Sequence, residues 1–259
     1  IGEAFKKKAS IAVVNKIENN INISRQIKVK DSLKFLTKSS ELYRENINTK
    51  IIAITGSCGK TTLKELLGNS LKQLSKVGIS PKSYNNKYGV PLSLFNLDQK
   101  NDYGVLEIGM DKKGEIDYLS KIVKPDISVI TNINYAHAKN FKNLKQIALA
   151  KSEIIYNTKI NGFVILNADD NFFTLHKNIA NKKNLKILSF GIDNKKANIK
   201  LISVKKIAHK FKAIIRVNNF KTYFFISNNF QNNILNILAT LAVMSIFLDI
   251  SKLNKNIFI

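Results

Sequence analysis

A chain of 259 residues with 44% hydrophobic content can build one large domain or two smaller ones around a real core, which excludes wholesale disorder. Its one cysteine, Cys58, excludes a disulfide framework and a cysteine-based metal site, and its longest apolar runs carry Asn and Thr and stop short of a membrane span. The formal net charge of +24, from 42 Lys+Arg against 18 Asp+Glu, admits polyanion binding without requiring it.

In chain order, "EAFKKKA" (3–9) reads as a short helix, and "SIAVVN" (10–15) and "IKV" (27–29) as strands. Asp31 is a candidate N-cap for a helix over 32–46, where Leu33, Leu36, Leu42 and Tyr43 recur at helical spacing. "INTK" (47–50) is a linker into the next unit. From there strands and helices alternate. "KIIAI" (50–54), "YGVLEI" (103–108), "DISVITNI" (126–133), "GFVILN" (162–167) and "KILSFG" (186–191) are strands. Between them, 62–74, 114–123, 144–157 and 170–180 carry helical patterns. This alternation predicts an α/β fold with a mostly parallel sheet covered by helices on both faces. After 197 the pattern changes. "NIKLISV", "KAIIRV" and "KTYFFIS", with Asn218-Asn219 as a hairpin signal, predict a small antiparallel patch, and a long helix is expected over 229–248.

Lysine is scattered through every segment beside abundant Asn and Ile, the residues of A/T-rich codons. There is no arginine-rich run and no aromatic–basic interleaving of the kind RNA-binding sheets use. A solvated, codon-biased surface is therefore the expected source of the charge, with no specific nucleic acid as partner. A P-loop ATPase acting on nucleic acid is the rival that the charge alone suggests. No secretory signal is visible, so a cytoplasmic protein is expected.

The stretch "ITGSCGKTT" (54–62) carries chemistry. Gly59, Lys60 and Thr61 stand where the P-loop pattern G-x-x-x-x-G-K-[ST] wants them, yet position 54 is Ile and a glycine lies instead at 56. A β-rich run enters this loop and a helix opens after it, so free N–H groups and the helix dipole would face an anion. Gly56 and Gly59 permit the turns, Lys60 can neutralise phosphate oxygens and the Thr61 hydroxyl can ligate Mg²⁺. The bland alternative is a strand-to-helix turn with an exposed lysine. Cys58 is read as a small filler that contributes its backbone rather than its thiol.

Other candidates lie at strand ends, where ligands gather in open α/β sheets. Glu107 is either a second Mg²⁺ ligand or a solvated carboxylate. His137 is either a metal or phosphate contact or an inert loop residue. Asn85 and Asn86 either read a polar substrate or shape a turn. Lys151 stands in the otherwise apolar "IALAKSEII", where a snorkelling surface lysine is the ordinary reading. His176 and His209 receive no role.

"ITGSCGKTT", "NNKYGVPLSL", "VLEIGMDKKGEI", "PDISVITNINYAH" and "IALAKSEI" follow one another in the order and rough spacing of the Mur ligases, and the chain resembles that family from about 48 to 250. The shortened glycine loop is the family's own version. "NN-x-x-GVPL" and "E-x-G-x-x-x-x-GEI" resemble the members that join D-alanyl-D-alanine to UDP-N-acetylmuramoyl-tripeptide, rather than other Mur or folylpolyglutamate-type ligases. Residues 1–47 more weakly resemble the tail of the family's N-terminal UDP-substrate-binding domain.

The resemblance implies a division into 1–47 (that tail), 48–250 (central ATP-binding domain) and 251–259 (start of a linker to a C-terminal domain). The chain would then be an internal fragment, monomeric, whose parent enzyme phosphorylates a carboxylate with ATP and lets an amine displace phosphate. ATP and two Mg²⁺ ions are the implied cofactors. Gly56, Ser57, Cys58, Gly59, Lys60, Thr61 and Thr62 would hold ATP phosphates, with Lys60 catalytic. Thr61, Glu107, His137 and a carbamylated Lys151 would hold metal, His137 and Lys151 counting as catalytic too, and Asn85 and Asn86 would face substrate. The family's G-x-H-N-x-x-N appears as "FQNNILN", so Asn233 and Asn236 keep the nucleotide-side asparagines while Phe230 and Asn232 depart. A nucleotide-binding fragment without ligase activity of its own is the alternative function.

Overall fold

The computed structural model describes residues 1–135, 140–227 and 233–259. Helix α1 (Gly2–Lys6) precedes two short strands, β1 (Ala12–Val14) and β2 (Gln26–Lys28), which pair in parallel apart from the main sheet. Asp31 caps α2 (Ser32–Glu45), its carboxylate accepting from the N–H groups of Leu33 and Lys34. Then follow β3 (Lys50–Thr55), α3 (Lys60–Lys72), β4 (Val77–Ile79), α4 (Gly89–Phe95), β5 (Tyr103–Glu107), α5 (Glu115–Val123), β6 (Ile127–Ile130), α6 (Leu144–Tyr156), β7 (Phe163–Asn167), α7 (Phe173–Lys182) and β8 (Lys186–Gly191). Strands β9 (Ile199–Ile207), β10 (Lys210–Val217) and β11 (Phe220–Ser227) and helix α8 (Ile234–Met244) follow.

One nine-stranded sheet runs β11-β10-β9-β8-β7-β6-β3-β5-β4, parallel from β4 through to β9 and antiparallel at β9–β10–β11. The three late strands therefore extend the main sheet rather than form a separate patch, because β9 pairs with β8 over Phe190↔Ile199 and Gly191↔Lys200. The central strands are hydrophobic on both sides, as a doubly covered parallel sheet requires. In β3, Ile52 and Ile54 face a core shared with α3 and α8, while Ile51 and Ala53 face one shared with α4, α5 and α6.

Sequence patterning misses β4 and α4. Pro91 lies in the first turn of α4, where proline is tolerated, and Asn86 Oδ1 accepts from the N–H groups of Tyr88 and Gly89 to start it. Helix α8 stops at Met244, short of the expected 248, and the expected start over 229–232 lies outside the described residues. Among the described residues no helix is long and apolar enough to cross a membrane.

The chain on either side of this sheet is packed onto it. Arg44 of α2 is 3% exposed, and its guanidinium donates to the carbonyls of Val123 and Lys124 and to Asp126, while Tyr43 Oη donates to Leu97 O at 2.5 Å. Burial lowers the Arg44 pKa and Asp126 opposes that shift. At the other end Phe258 is buried against Phe224, with ring centroids 5.5 Å apart, and bridges to Ile226.

Candidate active site

Strand β3 ends at Thr55 and α3 begins at Lys60, so the glycine loop joins the carboxyl end of a central strand to a helix N-terminus. Two glycines make the path available. Gly56 has φ +151°, and a Cβ there would lie 1.8 Å from Thr131 Oγ1. Gly59 has φ +80°, and a Cβ there would meet Asn236 Oδ1 at 3.2 Å. Asn236, 9% exposed on α8, thus sits over the loop, with Asn233 Oδ1 3.4 Å from its amide nitrogen.

The loop is clamped from the end of β6 by residues that motif reading overlooked. Ser57 N–H donates to Asn132 O at 2.9 Å, Cys58 N–H to Asn132 Oδ1 at 3.0 Å, and Thr131 Oγ1 donates to Cys58 O at 2.7 Å. Ser57 Oγ donates to Asn134 O and accepts from Asn134 N–H, both at 2.9 Å. The N–H groups of Ser57 and Cys58 are therefore committed to Asn132. By helix geometry the N–H groups of Gly59, Lys60, Thr61 and Thr62 have no intrahelical acceptor, and these are the donors an anion would meet at the start of α3.

Lys60 and Lys151 converge on one atom. Lys60 Nζ donates to Gly56 O at 3.0 Å and lies 3.4 Å from Ser57 O. Lys151 Nζ, on α6, donates to the same Gly56 O at 3.0 Å. Lys151 is only 2% exposed, which overturns the surface-lysine alternative. Its pKa falls to about 7, chiefly because burial penalises the ammonium, with the Lys60 charge adding to the drop and Cys58 opposing it. Neighbouring Glu153 faces away, accepting from the N–H groups of Gly114 and Asp117 at the start of α5.

Glu107 is 1% exposed at the end of β5, which overturns its solvated alternative as well. Thr61 Oγ1 donates to Glu107 Oε2 at 2.7 Å, and Asn85 Nδ2 donates to Glu107 Oε1 at 2.7 Å. Asn85 is thereby brought to the site, whereas Asn86 is exposed and engaged in starting α4. A carboxylate and a hydroxyl, both hard oxygen donors beside the glycine loop, suit a Mg²⁺ that keeps most of its water. Among the described residues no group of three or more His, Cys, Asp or Glu side chains is gathered to hold a metal. His137 lies outside the described residues. His176, left without a role, is buried beneath α6 with Nε2 3.1 Å from Ala148 O, and burial lowers its pKa.

Residues 54–244 match the Mur ligase middle domain. A UDP-N-acetylmuramoyl-tripeptide–D-alanyl-D-alanine ligase of Rickettsia prowazekii is 35% identical over 257 residues, covering 97% of this chain and 57% of the relative. Its counterpart in Buchnera aphidicola is 39% identical over 199 residues, covering 76% and 42%. Among solved structures, the MurF ligase of Thermotoga maritima in complex with ADP superimposes with a TM-score of 0.82 at 28% identity, over 98% of this chain and 59% of that one. The chain thus spans about half the length of the relatives it matches.

Proposed function

The chain belongs to the Mur ligase family, and we propose that it carries the ATP-binding half of an ADP-forming ligase that joins D-alanyl-D-alanine to UDP-N-acetylmuramoyl-tripeptide. The observation that carries this reading is the convergence of Lys60, buried Lys151 and the Thr61–Glu107 pair at the loop between β3 and α3. In this reading 48–250 is the ATP-binding unit, 1–47 the tail of the UDP-substrate unit and 251–259 the start of a linker. The protein acts as a cytoplasmic monomer.

The N–H groups opening α3 and the helix dipole receive the ATP phosphates. Lys60 leaves the Gly56 and Ser57 carbonyls to meet the transferring phosphoryl group and offset its charge. Asn233 and Asn236 border the nucleotide, and Asn85 borders the substrate side, while the neighbouring Asn86 holds the start of α4. A carboxylate oxygen of the tripeptide attacks the γ-phosphorus and the bond to ADP breaks. The amine of the dipeptide then attacks the acyl carbon of that acyl phosphate, inorganic phosphate leaves, and the amine loses a proton.

Thr61 and Glu107 would hold one Mg²⁺ and a carbamylated Lys151 a second, with His137 assigned to the same shell by family resemblance. Bound there, Mg²⁺ supplies positive charge that lowers phosphate repulsion toward an incoming carboxylate. A lysine whose pKa is about 7 suits carbamylation, because its neutral amine is the form that adds CO₂. The neutral amine nitrogen bonds the CO₂ carbon and one proton departs, leaving an anionic group with two oxygens in place of the amine.

The test is release of phosphate from ATP by the complete polypeptide, measured with both substrates and with either omitted. Release that needs both is expected. ATP binding without any substrate-dependent release would favour the second reading, nucleotide binding without ligation, which the half-length coverage of the relatives supports for this chain alone.

A further inference from the structure

A second buried lysine lies next to this site. Lys64 on α3 is 0% exposed, one turn after Thr61 and on the same side of the helix. Its ammonium donates to Ser80 O at 2.8 Å and to Lys82 O, and Glu65 Oε1 lies 3.1 Å away. A cation buried so completely needs all its donors filled, and here two of the acceptors are backbone carbonyls of one short segment.

That segment leads directly to Glu107. Ser80 N–H donates to Val105 O at 3.0 Å, and Ser80 Oγ accepts from Glu107 N–H at 3.3 Å. Lys82 takes a left-handed conformation, φ +44°, which folds the chain back onto α3. The turn continues through Tyr84 N–H to Pro81 O and Asn85 N–H to Ser83 O, and it delivers the Asn85 amide to Glu107 Oε1. Asn85 O also accepts from Gly109 N–H at 2.8 Å, just past the end of β5. Glu107 is thus held by Thr61, Ser80 and Asn85, and Lys64 fixes the segment supplying two of the three.

We propose that Lys64 is a positioning residue: it pins the 80–85 segment to α3 so that Asn85 orients the Glu107 carboxylate toward its metal. This inference rests on the reading of Thr61 and Glu107 as Mg²⁺ ligands. Residues that orient a metal ligand typically govern 10–100-fold in metal affinity.

The test uses the full-length polypeptide, ADP, and Mn²⁺ as a paramagnetic probe for Mg²⁺. Lys64→Met is expected to weaken Mn²⁺ binding to the ADP-bound protein about tenfold or more, while ADP binding without metal changes less than about twofold. Asn85→Ala should cause a similar loss, and the double variant should be little weaker than Asn85→Ala, since coupled residues do not add. Unchanged Mn²⁺ affinity in Lys64→Met, or losses that add in the double variant, would overturn the proposal. If Lys64→Met does not fold, Lys64→Gln, which keeps amide donors, should show an intermediate Mn²⁺ loss. A protein that folds with neither residue has a purely structural lysine, which also overturns it. Glu107→Gln separates the two levels. If it leaves Mn²⁺ binding intact, the metal-site reading fails and takes this inference with it. If it abolishes binding while Lys64→Met does not, only the Lys64 assignment fails.

Discussion

The centre of the sheet and its antiparallel edge treat positive charge in opposite ways. Around the β3–α3 loop, Lys64 and Lys151 are buried, and each is held by carbonyls that the fold places on its nitrogen. On the β9–β11 meander, Lys210 lies 4.2 Å over the Phe225 ring and Lys212 4.2 Å over the Tyr223 ring, on a face open to water. Among the described residues the buried cations are Lys64, Lys151 and Arg44, so the net charge of +24 resides overwhelmingly on solvated surface. What separates a working lysine from a solvating one in this chain is what lies around its nitrogen, and local charge density does not report that.

The comparison is broken most severely at the loop. Lys60→Ala should lower turnover of the complete enzyme by about 10²–10³-fold or more, since a single preorganised stabiliser of transition-state charge is worth that much. Near-native turnover would remove Lys60 from the chemistry. Lys151→Ala should be nearly inactive and partly restored by small carboxylic acids. ¹³C-bicarbonate should give a carbamate signal in the native protein and none in the variant, and the signal should fade as pH drops below about 7, where Lys151 takes up a proton. The same residue sets a stability slope. Its folded pKa of about 7 lies below the ~10.4 of a free lysine, so the stability it permits is full above ~10.4 and is lost as pH falls toward 7. The full span corresponds to roughly 4–5 kcal/mol. In CO₂-free buffer, denaturant midpoints of the native protein should rise with pH across that window, and Lys151→Met should flatten the rise.

Arg44 tests whether burial with partners matters away from the chemistry. Removing one member of a buried ion pair typically costs about 3–5 kcal/mol. The partner Asp126 is 27% exposed, so Arg44→Met should fall toward the lower end. Nucleotide affinity of the folded variant should be unchanged. A loss of affinity equal to that of Lys60→Ala would show that α2 reaches the site.

Most of the architecture is legible in the sequence because it rests on periodicity. "KIIAIT" and "FVILN" are apolar on both faces, which only a covered parallel strand tolerates. The elements that escape are short or broken by turn formers: three-residue β4 and the seven-residue α4, with a proline inside it. At the site, Lys60, Thr61 and Glu107 follow from motif and strand-end logic, but Asn132 and Asn134 do not, because a loop clamp depends on two distant strand ends meeting. Lys64 did leave a signal. It falls on the stripe of Leu67 and Leu71, an apolar helix face where a lysine has to be paid for by partners. The pairing of aromatic rings with lysines on the meander is invisible to a search within one segment, since it forms across β10 and β11.

Glu107→Gln sharpens the comparison within the site. It keeps the shape and the Asn85 and Thr61 neighbours while removing the charge. The Mg²⁺ concentration for half-maximal turnover should rise about tenfold or more, with thermal stability nearly unchanged. An unchanged magnesium titration would make the Thr61–Glu107–Asn85 cluster a structural knot.

The smallest effect belongs to the meander. In register, Lys212 stands opposite Phe225 and beside Tyr223, and Lys255 approaches Tyr223 from the tail at 5.9 Å. A cation over an exposed ring contributes about 0.5–1 kcal/mol, and a lysine's methylene stem can cover apolar surface besides. Lys212→Ala should therefore lower stability by no more than about 1 kcal/mol, and Lys212→Met, which keeps the stem, by less. Neither should alter ATP binding or turnover. In a double-mutant cycle with Tyr223→Leu, the coupling should stay below about 1 kcal/mol and shrink little in salt if the stem dominates. Retention on a polyanion resin should drop slightly for each lysine removed and vanish at moderate ionic strength, as non-specific attraction does. A Lys212 variant that lost activity, or that left the resin while other surface-lysine variants stayed, would mean that this face binds something and that its charge is more than a solvating coat.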